Sequence, residues 1–187
     1  EEDGFIEMIK MPKPRPTKNS KVHYLTEDME KELLDYLYSK QNPNTYMAAE
    51  IIKCLIDLGC RVNELMNLEN RFIDFENNQI NFIDRKNDQA VAVPMTNRVQ
   101  AKIERYYKQT KDFDKLFSLN YSELNAIWQR ARKDLGYAHK KFYTIHLCRH
   151  TCASKLVQKG VPILLVKDWL GHEDIENTMI YAHLAPK

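Results

Sequence analysis

Residues 71–95 read RFIDFENNQINFIDRKNDQAVAVPM and differ in character from the rest of the chain. This stretch holds three short runs rich in β-branched and aromatic residues, separated by two polar turns that contain asparagine. The runs are 72–75, 79–84 and 90–95, and the turns are 76–78 and 86–88. Such runs favour strands, and such turns favour hairpins. The stretch predicts a small three-stranded antiparallel sheet, with Lys86 at the tip of its second hairpin.

Helical patterns flank this stretch on both sides. Apolar residues recur at intervals of three and four, and capping residues stand near the ends of the patterns: Thr26, Thr144 and Asn177 suit N-caps, and Gly59 suits a C-cap. The predicted helices are 26–40, 45–58, 61–68, 96–110, 122–135, 144–159, 162–171 and 177–184. The sequence therefore predicts the α+β class, mostly helical, with one small sheet.

The composition is that of a globular domain, and it excludes several functions. Of the 187 residues, 43% are hydrophobic, which is too many for a disordered chain. The five glycines are placed so that they form no dinucleotide-binding motif, no P-loop and no serine-hydrolase motif. The longest apolar run, 161–166, is too short to span a membrane. Four irregularly spaced cysteines favour a reducing, cytoplasmic location over a disulfide scaffold.

The charged residues are unevenly distributed, although the net charge is only +2. Residues 10–21 contain five basic residues, three prolines and no acid, and residues 130–159 contain eight basic residues and one acid. We expect an extended basic interdomain arm over 1–21 and a folded domain over 22–187. Two acid-poor tracts on a nearly neutral chain favour a polyanionic partner, and a solvated charged face is the simpler alternative.

Three motifs carry residue types that perform chemistry. They read GCRVNEL at 59–65, HLCRHT at 146–151 and LGH at 170–172. On one helix His146 and Arg149 project from the same face, because they are three residues apart. Tyr181 lies nine residues beyond His172, so the two side chains meet only if the intervening loop folds back.

A metal site is a rival interpretation of the second motif. Its candidate ligands would be His146, Cys148, His150 and Cys152. Strict alternation spreads these four side chains too widely around a helix for them to share one ion. The sequence therefore favours a site without a metal.

In combination the motifs resemble the signature of the tyrosine recombinases, also called the phage integrase family, over about residues 22–184. The resemblance implies a catalytic domain of mixed helices and a small sheet, which cuts DNA through a tyrosine and uses no cofactor. It also implies two arginines that grip the phosphate, two assisting histidines and a tyrosine nucleophile. These residues are Arg61, Arg149, His146, His172 and Tyr181.

The hairpin lysine of the family is matched less clearly. In the family it precedes the valine–proline end of a strand by eight residues, and counting back from Pro94 leads to Lys86. The glycines that usually flank it are replaced by Arg85 and Asn87, so Arg85 remains an alternative. Strand alternation places Lys86 in phase with Phe82 and favours Lys86.

The chemistry of these residue types agrees with the implied roles. A planar guanidinium binds two phosphate oxygens at once, and arginine and histidine donors stabilise charge that a metal ion stabilises in other enzymes. A tyrosine, with an ordinary pKa of about 10, must lose its proton when it attacks. Lys86 can protonate the departing 5′ oxygen. Glu64, one turn after Arg61, is expected either to orient that arginine or to be a surface carboxylate.

The expected function is site-specific cleavage and rejoining of double-stranded DNA, in integration or excision of a mobile element or in chromosome resolution. The alternatives are a type IB topoisomerase-like enzyme and a non-catalytic DNA-binding module. The resemblance implies a tetramer of protomers on DNA for the full-length protein, and a C-terminal tail that is truncated in this chain. The residues expected to follow the DNA backbone, with the basic arm, are Arg130, Arg132, Lys133, Lys140 and Lys141.

Overall fold

A computed structural model describes residues 22–84 and 89–186. In that part of the chain eight α-helices accompany a three-stranded sheet, and none of the helices is long and apolar enough to cross a membrane. The helices are α1 (Glu27–Ser39), α2 (Pro43–Leu58), α3 (Val62–Met66), α4 (Asn97–Tyr107), α5 (Tyr121–Asp134), α6 (Leu147–Gln158), α7 (Ile163–Leu170) and α8 (Glu176–Met179). The strands are β1 (Ile73–Asp74), β2 (Gln79–Asp84) and β3 (Gln89–Pro94), and 3₁₀ turns cover Asn70–Phe72 and Ala182–Leu184. The predicted arm, 1–21, lies outside the described residues, as do Arg85 and Lys86.

Helix α2 lies at the centre of the core. Ile51 and Leu55 are 0% and 1% exposed, because α1, α4 and α6 all pack against this helix. A helix with neighbours on several sides is apolar over most of its surface. One buried carboxylate joins three helices: Glu30 of α1 accepts hydrogen bonds from Lys53 of α2 and Lys155 of α6. These contacts fix α1 and α6 against α2, and the candidate site lies at the end of α2 and the start of α6.

The predicted antiparallel sheet is confirmed, with strand order β1-β2-β3. Ile80 of β2 pairs with Val93 of β3, and both side chains are buried. Because side chains alternate along a strand, Phe82 shares the face of Ile80 and is buried too. Helix α7 packs on β3, so the sheet is attached to the helix that precedes His172.

One helix prediction and one further N-cap were wrong, and the boundaries of the other helices agree to within three residues. Helix α6 begins after His146, which occupies its N-cap position, whereas Thr144 belongs to a run of tight turns before the helix. The helix predicted over 177–184 is split into α8 and a 3₁₀ turn, with Tyr181 at the junction. Asn177 lies inside α8 and caps nothing. The break accompanies the burial of Tyr181, which is 2% exposed.

Candidate active site

Arg149, in the first turn of α6, is buried and joins two helix ends. Its Nη1 donates to the carbonyl of Gly59 (2.8 Å) and its Nη2 to the carbonyl of Leu170 (2.7 Å), at the ends of α2 and α7. Carbonyls at helix C-termini carry partial negative charge, which a guanidinium complements. Gly59 has φ +67°, and a Cβ there would stand 2.8 Å from the Cys152 sulfur, so this turn requires glycine. Burial lowers the pKa of Arg149, and the nearby charge of Arg61 lowers it further.

Arg61 occupies the N-cap position of α3, two residues after the glycine that ends α2. Glu64 accepts a hydrogen bond from Arg61 Nη1 (2.7 Å) and another from the Arg61 backbone N–H (2.6 Å). Of the two expectations for Glu64, the structure therefore shows the contact with the arginine. The Arg61 side chain is about half exposed, and its guanidinium has five N–H donors. The contact with Glu64 leaves donors for a phosphate.

Arg61 and His172 line an open cleft of about 820 Å³. The wall opposite the helices includes Phe82 of β2, and several asparagine side chains make the lining polar. Those asparagines are Asn63, Asn67, Asn81 and Asn177. Tyr181 is not among the described residues that line this cleft. Arg61 and Arg71 line the cleft together with four carboxylates, Glu64, Glu69, Glu173 and Asp174, so an anionic ligand is favoured beside the arginines rather than throughout the cleft. The predicted nucleophile, Tyr181, is buried.

The two predicted histidines are neutral at pH 7. His172 directly follows the left-handed glycine that ends α7, and its Nδ1 lies 2.8 Å from Thr178 Oγ1. Partial burial, then the positive charges of Arg149 and Arg61, lower the pKa of His172 to about 4. The same causes in the same order lower the pKa of His146. A neutral imidazole has one N–H donor and one acceptor nitrogen.

Tyr181 is hydrogen-bonded to a histidine outside the predicted set. His150 Nδ1 lies 2.6 Å from the Tyr181 hydroxyl oxygen. Burial lowers the pKa of His150 to about 4 and raises the pKa of Tyr181 to about 12, although the charge of Arg149 opposes the latter shift. The phenol is therefore protonated and donates to the neutral ring. The His150 ring also meets His146 edge-on, with centroids 4.9 Å apart.

The structure brings five of the six predicted catalytic residues into one electrostatic neighbourhood. Arg149 influences the pKa of His146, of His172 and of Tyr181, and Arg61 influences the pKa of both histidines. The sixth residue, Lys86, lies outside the described residues together with Arg85.

The four candidate ligands of the metal alternative do not converge. Cys148 and Cys152 are 1% and 3% exposed and belong to the core, whereas His146 is exposed and His150 bonds to the tyrosine. In residues 22–84 and 89–186, no group of three or more His, Cys, Asp or Glu side chains is positioned to hold a metal ion.

The residues predicted to follow the DNA backbone lie at the end of α5 and in the loop after it. The exposed ones are Arg130, Lys133 and Lys141. Arg132 is half-buried and donates to the backbone carbonyls of residues 137, 138 and 140, so it holds this loop in shape. The Lys140 ammonium lies over the Tyr137 ring, 4.6 Å from its centroid. The prediction for these five residues stays a prediction.

Two polar contacts of the site were missed by the sequence patterns. His150 stands in the HLCRHT motif, but its partner Tyr181 is 31 residues away, and no local spacing rule connects them. Thr178 follows two other polar residues and carries no motif of its own, and its contact with His172 depends on the way the loop after α7 folds back. The only signal in the sequence is the position of His150 directly after Arg149.

Comparison with protein families agrees with this geometry. Residues 23–187 match the model of the phage integrase family. The chain is 36% identical over 134 residues to the tyrosine recombinase XerA of Saccharolobus solfataricus. That alignment covers 72% of this chain and 45% of the relative. The chain spans about half the length of the curated relatives that it matches.

Two solved structures have the same fold. The crystal structure of a XerA recombinase matches with a TM-score of 0.69 and 27% identity, over 93% of this chain and 62% of that one. The catalytic domain of bacteriophage HP1 integrase matches with a TM-score of 0.67 and 28% identity, over 89% of this chain and 90% of that one. The second comparison is nearly complete on both sides, so the fold seen here is similar to that of a whole catalytic domain.

Proposed function

The chain belongs to the phage integrase family, and from this premise we propose that it cleaves and rejoins DNA at specific sites through a covalent 3′-phosphotyrosine on Tyr181. The observation that carries the proposal is that Arg61 and His172 line one cleft, and that the buried Arg149 lies close enough to both His172 and Tyr181 to lower the pKa of each side chain. Two guanidinium groups and neutral imidazoles are the donors that a phosphodiester requires.

The two arginines contribute differently to the proposed reaction. Attack on phosphorus places additional negative charge on the non-bridging oxygens, and each preorganised donor aimed at that charge is worth about 10²- to 10³-fold in rate. Arg149 is held by two carbonyls before DNA arrives, so little side-chain entropy is lost when its other N–H groups bind. Arg61 is exposed, and among the described residues its guanidinium is oriented by Glu64, so it completes the phosphate site when DNA enters the cleft.

The histidines supply uncharged donors. A neutral ring donates one hydrogen bond to a phosphate oxygen and adds no charge that would repel the arginines. In the proposed site, His146 at the start of α6 and His172 after α7 bind the oxygens that the arginines leave unpaired.

Tyr181 has to leave its buried position before it attacks, because a residue with 2% exposure does not touch a DNA phosphate. The segment that shifts is the break between α8 and the following 3₁₀ turn. In the reaction the phenol loses its proton, its oxygen forms a bond to phosphorus, and the bond from phosphorus to the 5′ oxygen breaks. The new ester retains the energy of the old one, so the reverse reaction rejoins DNA without ATP.

We assign protonation of the departing 5′ oxygen to Lys86, with Arg85 as the alternative. A 5′ alkoxide is a poor leaving group, and general acid catalysis is worth about 10²- to 10⁴-fold. The assignment is supported by the family resemblance and by the phase of the strand, and neither residue is among those described.

The proposed partner is double-stranded DNA, bound along the basic residues at the end of α5 and in the loop after it. The proposed full-length protein acts as a tetramer of protomers on DNA, in the cytoplasm. The four cysteines support a reducing compartment, because all are free and buried thiols.

Covalent trapping tests the proposal. In a duplex nicked just downstream of the cleavage point, the short fragment that carries the freed 5′ hydroxyl dissociates, so the covalent intermediate accumulates. The probes are nicked duplexes from the DNA that flanks the gene, and a library of randomised nicked duplexes. We expect a protein–DNA adduct that survives denaturation and withstands a chelator, and that Tyr181→Phe abolishes. The matched control is Tyr46→Phe, which removes a hydroxyl that accepts a hydrogen bond from Arg105 outside both the site and the proposed DNA surface. An adduct formed by Tyr181→Phe contradicts the proposal, as does an adduct lost on chelation.

A further inference from the structure

Thr178, in the short helix α8, contacts both His172 and the backbone of the proposed nucleophile. It is 0% exposed. Its Oγ1 lies 2.8 Å from His172 Nδ1, and its carbonyl accepts a hydrogen bond from the Tyr181 backbone N–H at 3.0 Å. One buried residue therefore links the histidine that lines the cleft to the turn that carries the tyrosine.

The direction of the hydrogen bond between Thr178 and His172 follows from the donors and acceptors that each side chain has. A threonine hydroxyl has one hydrogen to donate, and the bond to the imidazole is the side-chain hydrogen bond that the described structure records for it. If the hydroxyl accepted from Nδ1–H, its own hydrogen would be buried without an acceptor, at a cost of about 1–3 kcal/mol. The hydroxyl therefore donates to Nδ1. Because the ring is neutral at pH 7, its proton is then on Nε2.

We propose that Thr178 is a positioning residue that fixes His172 in the tautomer with its proton on Nε2, so that the ring presents an N–H donor to a phosphate in the cleft. The inference rests on the proposed function for the identity of that ligand, although the tautomer itself does not depend on DNA. The opposite tautomer would turn a lone pair toward the phosphate oxygens and repel them. Because the Thr178 carbonyl accepts a hydrogen bond from the Tyr181 backbone N–H, Thr178 also connects this donor to the segment that must move to expose Tyr181.

Two variants separate the hydroxyl from the shape of the side chain. Thr178→Val keeps a β-branched side chain and removes the donor, and Thr178→Ser keeps the donor and removes a methyl group. Nitrogen-15 NMR of the imidazole rings in the chain without DNA reports the tautomer directly, and a His172→Gln spectrum identifies the relevant signals among the six histidines. We expect the Nε2–H tautomer in the unmodified chain and in Thr178→Ser. In Thr178→Val we expect a mixture or the opposite tautomer.

Cleavage of the nicked duplex gives the second readout. We expect Thr178→Val to slow adduct formation at least about 10-fold, within the 10²- to 10³-fold that a whole donor is worth, and Thr178→Ser to restore the rate. In a His172→Ala background the same valine substitution should change the rate less than twofold, because its effect passes through the ring. A merely structural role would slow both backgrounds equally.

The NMR measurement tests the role of Thr178, and the cleavage assay also tests the proposed function, so the failure of one can be told from the failure of the other. An Nδ1–H tautomer in the unmodified chain overturns the inference, and so does a Thr178→Val variant with unchanged tautomer and unchanged rate. If the tautomers behave as expected but the unmodified chain forms no adduct with any duplex, the proposed function fails and the positioning of His172 by Thr178 stands.

Discussion

Arg149→Ala removes the hydrogen bonds to the carbonyls of Gly59 and Leu170, at 2.8 and 2.7 Å. Each buried acceptor left unpaired costs about 1–3 kcal/mol, and loss of a buried cation also removes its desolvation penalty, so we expect the free energy of unfolding to fall by about 2–3 kcal/mol. Arg61→Ala removes an exposed contact with Glu64 that is worth about 0–1 kcal/mol. The two alanine variants should therefore differ in stability, although we expect both to lose cleavage activity.

Urea denaturation followed by circular dichroism measures this difference as a change in midpoint at constant slope. Arg149→Lys is the matched control, because one ammonium does not reproduce the two-pronged contact with both carbonyls, and its stability should fall between those of alanine and arginine. On the nicked duplex, Arg61→Ala and Arg149→Ala should both lose about 10²-fold or more of the cleavage rate. If the two alanine variants unfold at the same urea concentration, Arg149 does not join the ends of α2 and α7 in the way described.

Three further predictions follow from the site. His150→Ala should lower the free energy of unfolding by about 1–3 kcal/mol, because the buried phenol of Tyr181 loses its acceptor. In a Tyr181→Phe background the same substitution should cost less. If urea denaturation shows that the two substitutions lower the free energy of unfolding additively, the contact is refuted. Lys86→Ala should slow cleavage by about 10²- to 10⁴-fold, and sulfur in place of the bridging 5′ oxygen should restore most of the rate. If sulfur restores the cleavage rate of Arg85→Ala and not that of Lys86→Ala, the general acid is Arg85. Duplex affinity should fall steeply with salt, with a log–log slope of about −0.9 per neutralised phosphate, and a flat titration would argue against the basic tracts as the DNA surface.

The elements with strong local signals were predictable from the sequence. The three strands between residues 71 and 95 are bounded by polar turns, and the glycine at 59 ends α2 in a left-handed conformation as expected. Prediction was weaker where tertiary contacts outweigh propensity. Thr144 has the chemistry of an N-cap, but tight turns continue to His146 before α6 begins. Asn177 is equally suitable as a cap, but burial of Tyr181 accompanies a break in the predicted last helix.

Five of the six predicted catalytic residues lie close together, but most of their contacts could not be predicted from the sequence. Spacing put His146 and Arg149 on one helix, whereas the structure has His146 at the N-cap and Arg149 in the first turn of α6; the contact of Glu64 with Arg61 is a local one. The bond from His150 to Tyr181 depends on how α6 packs against the end of the chain, which no local pattern encodes. The contacts of Arg132 could not be predicted from the sequence either. Composition placed it on a DNA-facing tract, but backbone carbonyls of the following loop occupy its guanidinium.

The central claim, that Tyr181 becomes joined to a DNA 3′ phosphate, is tested most directly by mapping the trapped adduct. Nuclease and protease digestion of the adduct, followed by mass spectrometry, identifies both the modified residue and the end of DNA attached to it. We predict that the peptide containing Tyr181 carries a nucleotide through its 3′ phosphate. A nucleotide on another of the ten tyrosines, or a linkage through a 5′ phosphate, would contradict it.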